Sequence, residues 1–130
     1  MEPMLRETKQ WLEIAEKDYQ SGTYLLEKRF YPQSIYLFCQ ALEKVLKAAQ
    51  IEYTKTIPKK IHHLHLIAQT TGLEFSKEQI KSLEELSKHY GRVRYPDISQ
   101  VFYNTKTKTA SIITNAKQLY LWIYKQLKNQ

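Results

Sequence analysis

The chain has 130 residues, 42% of them hydrophobic and 25% charged, with one cysteine, three glycines and four prolines. This is the composition of one globular domain over residues 1–130. It is too short for a two-domain enzyme, too poor in Gly and Pro for a turn-rich β-sandwich or a disordered chain, and short of the thiols a disulfide framework or Cys-rich zinc module needs. The formal net charge is +7: positions 1–53 hold seven bases against eight acids, and positions 54–130 hold thirteen against five. A nearly neutral half joined to a basic half points to an anionic partner such as nucleotide, RNA or an acidic protein surface, although net charge also serves solubility alone. No apolar run approaches the about 18 residues that cross a bilayer, and the first residues lack a signal peptide's apolar stretch. No membrane association is expected, and the cytoplasm is the expected location.

Five segments carry helical periodicity and none alternates as a strand. In the first, Leu5, Thr8, Leu12, Ala15, Tyr19, Gly22 and Leu26 recur at spacings of three and four, and Trp11 widens the stripe. The pattern is lost at Lys28-Arg29-Phe30, and Tyr31-Pro32 starts a new helix, because Pro is best tolerated at a first helical position. That second helix is expected from about Pro32 to Gln50, with Ile35, Phe38, Cys39, Leu42, Val45, Leu46 and Ala49 inward. Its other side carries Gln40, Glu43, Lys44 and Lys47 as one polar line. Thr54 to Pro58 reads as a connector, and a short helix from Ile61 to Thr71 stops at Gly72. Ser76-x-x-Gln79 is a capping-box pattern opening a fourth helix with Ile80, Leu83, Leu86 and Tyr90 on one stripe, ended by Gly91. Arg92 to Asn104 reads as irregular, with Pro96 preventing regular helix nearby. A last helix spans about Thr107 to Lys128. Short connections between amphipathic helices make this an all-α, up-and-down bundle of four to five helices.

The densest polar chemistry lies in Tyr90-Gly91-Arg92-Val93-Arg94-Tyr95-Pro96-Asp97. Arg recognises phosphate in a planar, bidentate manner and Tyr offers a face for a base, so Arg92, Arg94, Tyr90 and Tyr95 with Asp97 read as a nucleotide- or phosphate-binding loop. The competing reading pairs Arg94 with Asp97 or a helix carboxylate and leaves Tyr95 merely packed. The line Gln40, Glu43, Lys44, Lys47 is either a ligand-facing stripe or a solvated face with an internal Glu43–Lys47 pair. His62, His63 and His65 have no nearby carboxylate or thiol to complete a metal site, so no metal is expected, and a helix-start His bonding to backbone or packing on Tyr is the favoured reading. Cys39 on an apolar stripe is expected to be an inert buried thiol. With no nucleophile elbow, phosphate-binding glycine loop or zinc-protease motif, no catalytic residue and no cofactor is assigned. Large aromatic side chains, ten of them Tyr, suit a subunit interface as well as a core.

Several of these residues together resemble a known family. Trp11, Ala15 and Asp18 on the first helix come first, then Tyr31-Pro32-Gln33-Ser34 leading into Cys39-Gln40-Ala41-Leu42-Glu43-Lys44-Val45-Leu46-Lys47-Ala48. Pro58 then precedes His62-x-Leu64 with Ile67, and Tyr90-x-x-x-Arg94-Tyr95-Pro96-Asp97 follows. The chain resembles the HEPN (higher eukaryotes and prokaryotes nucleotide-binding) domain over nearly its whole length. The resemblance implies an up-and-down bundle that forms homodimers. It also implies a place beside a minimal nucleotidyltransferase, as one half of a two-gene, toxin–antitoxin type system.

Catalytically active members of that family are metal-independent ribonucleases with an R-x4-6-H motif. Here the windows after Arg92 and Arg94 hold no His, nor do those after Arg6 and Arg29, and His89 precedes the two loop arginines. An arginine without a general acid/base partner binds phosphate but does not transfer protons efficiently. The resemblance therefore implies nucleotide or RNA binding, with Lys44, Lys47, Arg92 and Arg94 converging on phosphates, Glu43 beside them, and Tyr90 or Tyr95 stacking a base. The alternatives are a metal-independent endoribonuclease toxin and a non-catalytic dimerising interaction module.

Overall fold

The computed structural model describes residues 3–129 and is all-helical across them. Four long helices, α1 (Arg6–Glu27), α2 (Tyr31–Thr54), α4 (Lys77–Arg92) and α6 (Lys106–Lys128), are joined by two short ones, α3 (Leu64–Ala68) and α5 (Pro96–Phe102). The turn between α1 and α2 reverses the chain. Leu5 N–H donates to Glu52 Oε1 at one end of the hairpin, and Ser34 Oγ donates to the Gly22 carbonyl near the other. The start of α6 lies beside Tyr31 at the start of α2, and Tyr53 O–H reaches the Gln126 carbonyl at their far ends. Val93 and Arg94, just beyond α4, lie against the first turns of α2. So α1 and α4 run one way and α2 and α6 the other, the up-and-down order the periodicity predicts.

The centre of the bundle is α2, which touches α1, α3, α4 and α6. A helix contacted on several sides must be buried nearly all round, and Ile35, Phe38, Leu42, Val45, Leu46 and Ala49 are fully enclosed. Its burial continues through Gln50, Ile51 and Glu52, so the helix runs on to Thr54 rather than stopping at Gln50, and Lys55 closes it in the left-handed conformation. Gly22 lets α1 approach closely: a Cβ there would sit 3.1 Å from the Phe38 ring. No helix among the described residues is long and apolar enough to cross a membrane.

Three further local expectations change. The stretch after α4 is not irregular, since Pro96 occupies the first turn of α5, where its missing N–H costs nothing. Gly91 lies inside α4 rather than ending it, and the helix continues to Arg92 with Val93 buried beyond it. The short third helix is confined to Leu64–Ala68, because Ser87 Oγ on α4 accepts from the Leu64 N–H and fixes where it starts. The capping box at Ser76 forms in full, with Gln79 N–H donating to Ser76 Oγ at 3.0 Å and Ser76 N–H to Gln79 Oε1 at 2.8 Å.

Candidate functional site

A cleft of about 370 Å³ opens between α2, the 61–63 segment and the end of α4. Its α2 wall is the polar line Gln40, Glu43 and Lys44, with Tyr36 one turn earlier. The opposite wall is Tyr90 and Arg94, and His62 and His63 close one side.

Glu43 is the hub of this wall. It is only 7% exposed, yet its carboxylate is fully engaged. Tyr90 O–H donates to Oε1 at 2.9 Å, Lys47 Nζ donates to Oε2 at 2.8 Å, and His62 Nδ1 lies 3.1 Å from Oε2. Because a carboxylate only accepts, the His62 Nδ1 carries the proton of that bond, and its Nε2 makes no hydrogen bond among the described residues. Burial alone would raise the Glu43 pKa. The hydrogen bonds from Lys47, Tyr90 and His62, with the Lys47 charge, outweigh it and hold the carboxyl below its ordinary value. Burial, together with that carboxylate, pushes the Tyr90 phenol far up, so Tyr90 stays a neutral donor.

Lys47 does not reach the cleft. It is buried at 5% exposure, bonded to Glu43, with its ammonium 5.6 Å from the centre of the Trp11 ring. The Glu43–Lys47 pair is therefore not on a solvated face: α1 covers one end of it and Tyr90 the other. Lys44 does line the cleft, held by Asp18 Oδ2 of α1 at 2.5 Å and by Gln40 Oε1 at 3.4 Å, while Gln40 Nε2 donates to Tyr36 O–H at 2.9 Å. Asp18 thus neutralises Lys44 without occupying the cleft.

The two loop arginines separate. Arg92, in the last turn of α4, faces His89 and the Tyr103 phenol, where burial followed by its positive charge lowers the His89 pKa. His89 Nδ1 is bonded to Tyr103 O–H at 2.8 Å. Arg94, two residues further and past the helix end, lines the cleft, and among the described residues it has no carboxylate partner. It does not pair with Asp97. Tyr95, at 56% exposure, and Asp97 are both on the surface and line neither wall. So the structure gathers Glu43, Lys44, Tyr90 and Arg94 in one place and sends Lys47, Arg92, Tyr95 and Asp97 elsewhere. Cys39 is the inert buried thiol expected, its pKa pushed up to about 12 by burial.

His62-x-Leu64 belongs to the family resemblance, but neither that motif nor its spacing points to the Glu43 carboxylate, which His62 meets in place of a backbone or Tyr partner. Its partner, Glu43, is 19 positions away across a non-helical connector, so no periodic pattern links the two. Asp18 with Lys44, 26 positions apart, is hidden for the same reason.

The HEPN domain family model matches residues 8–127, nearly the full length. The chain belongs to the HEPN family. Two solved structures share its fold. TT1696 from Thermus thermophilus superposes with a TM-score of 0.79 at 17% identity, over 93% of this chain and 98% of that one. ST0689, an archaeal HEPN homologue, gives a TM-score of 0.70 at 22% identity, over 92% of this chain and 97% of that one. No curated protein matches the chain. In this HEPN chain the cleft lies where the central helix meets the segment that follows the third long helix.

Proposed function

We propose that this HEPN-family chain binds the phosphate of a nucleotide or of RNA in the cleft between α2 and α4, with Arg94 as the principal phosphate ligand. The observation that carries this reading is the Arg94 guanidinium, without an ion pair among the described residues, lining with Lys44 a cleft whose one deeply buried carboxylate is already satisfied. An anion entering there meets free donors and no uncompensated negative charge. Tyr90 and Tyr36, whose rings lie 5.5 Å apart, offer an aromatic face beside the phosphate site. The protein works in the cytoplasm as a homodimer beside a minimal nucleotidyltransferase, in a two-gene system of toxin–antitoxin type. Co-expression with such a nucleotidyltransferase should yield a complex that survives gel filtration.

Calorimetric titration with AMP at several salt concentrations tests the phosphate role. Arg94→Ala should weaken binding by about tenfold or more, the worth of a charge-assisted hydrogen bond. Unaltered affinity at every salt concentration would refute the role of Arg94.

One observation favours the endoribonuclease alternative. His62, oriented by Glu43 through Nδ1, stands in the same cleft as Arg94 and so supplies in space the histidine that the R-x4-6-H spacing lacks. That reading requires cleavage of single-stranded RNA in EDTA, abolished by His62→Ala. Binding without cleavage in that assay rejects it.

A further inference from the structure

A second concavity adjoins the cleft. It is a groove of about 820 Å³ between the α1–α2 turn and α5, and Tyr36 and Arg94 line both spaces. The groove is walled by Phe30 and Tyr31 on one side and by Val93 and Pro96 on the other, with Arg29 at its edge. Phe30 is 53% exposed, although it lies at the junction of two helices where an apolar ring could have been tucked inward.

Arg29 is the more telling residue. It holds φ 63°, the left-handed conformation that closes α1, with its N–H donating to the Leu26 carbonyl and the Phe30 N–H donating to the Leu25 carbonyl. That helix-ending position is one where glycine is the comfortable residue and a side chain brings strain. A strained arginine stands where glycine would fold more easily, and among the described residues it has no ion pair. Lys55 closes α2 in the same conformation, so it is the place of Arg29 on the groove, and not its backbone alone, that bears on binding. What it adds here is a second guanidinium, beside the exposed Phe30 ring and the half-buried Tyr31 ring, on a surface continuous with Arg94.

Resting on the phosphate reading of the cleft, we propose that this groove is a base-stacking subsite, so that the ligand is a single strand of RNA spanning at least two nucleotides. One phosphate lies at Arg94, where the two spaces meet. The neighbouring base lies over Phe30 and Tyr31, and the next phosphate is met by Arg29. Aromatic rings interleaved with guanidinium groups suit a strand with alternating planar and anionic parts. A free mononucleotide fills only the smaller cleft and leaves the groove unused.

The test compares AMP with tetra-adenylate on the full chain, using a fluorescent tetra-adenylate for anisotropy and AMP as competitor. Tetra-adenylate should bind about tenfold or more tightly than AMP. Phe30→Ala should weaken tetra-adenylate by about fivefold or more and leave AMP unchanged. Arg29→Gly should lower the salt dependence of tetra-adenylate binding by about 0.7 in slope, one phosphate contact on a single strand, while the melting temperature is kept or raised. That last result separates a binding role from a folding one, because an arginine needed only for structure would lower the melting temperature when removed.

Tetra-adenylate binding no tighter than AMP, with AMP still dependent on Arg94, overturns the groove and leaves the cleft standing. Failure of both ligands to bind overturns the two together. Phe30→Ala converting a dimer to a monomer with no change in RNA affinity assigns the groove to a second copy of the chain and overturns the proposal. Displacement of tetra-adenylate by an oligoglutamate peptide at equal concentration does so as well, since the groove would then read charge alone.

Discussion

Glu43 shows how one residue joins stability to the site. Its carboxylate compensates a buried lysine, anchors Tyr90 and orients His62, so it links the core to the cleft. Replacing it by Ala strands Lys47 as an unpaired buried cation, and urea denaturation should show a loss of about 3–5 kcal/mol. Exchanging both partners for apolar residues of similar volume should restore most of that loss, since a buried pair is stabilising chiefly against the removal of one partner. The pH dependence follows from two directions. Glu43 has a folded pKa below its ordinary value, so its contribution is complete above the ordinary carboxyl range, about 4.3, and is lost as pH falls through that range to the folded value. His89 also has a lowered pKa, caused first by burial and then by Arg92; its neutral form is the one that fits, and its contribution is lost as pH falls below about 6.5. Denaturation midpoints should therefore decline in two stages on acidification, and His89→Phe should flatten only the upper one. A single decline that His89→Phe leaves unchanged would contradict the assignment.

The legible elements are those with long apolar stripes, and the reason is physical. The four long helices repeat their inward residues over several turns, and Ser76 with Gln79 marks a start by the bonds it makes. By contrast, α5 is seven residues long and buries none of them, so it leaves no periodic trace, and Pro96 is ambiguous between breaking a helix and starting one. The site is half legible. Glu43, Lys44, Tyr90 and Arg94 stand out by residue type, but the direction of each arginine depends on where α4 ends, a matter of one or two residues. His62 is marked locally only by His62-x-Leu64, and its place in the site comes from a tertiary contact with Glu43 that the motif does not encode. At this scale the α1–α2 hairpin makes its own prediction. Gly22→Ala gains helix propensity but drives a methyl into the Phe38 ring, which is buried and held edge-on by Tyr19 at 5.3 Å. The ring has no room to yield, so the substitution should cost about 1–3 kcal/mol in thermal or chemical denaturation. A stabilised Gly22→Ala variant would show that α1 and α2 can separate freely.

For the molecule as a whole, the uneven charge of the sequence acquires a location. The first half of the chain pairs two of its lysines, Lys44 on Asp18 at the cleft and Lys47 on Glu43 inside the bundle. From the second half, Arg94 lines the cleft with no ion pair among the described residues. On the phosphate-binding proposal, an excess of +7 would act as a diffuse attraction for a polyanion, and the cleft would give that attraction a place to dock. The most direct test is to record amide and arginine side-chain NMR spectra of the isotope-labelled protein while AMP is added. The account predicts that the Arg94 side chain, Tyr90, His62 and the Gln40–Lys44 stretch shift together and saturate at one affinity. Shifts centred instead on the exposed lysines of α4 and α6, with Arg94 unmoved, would contradict it.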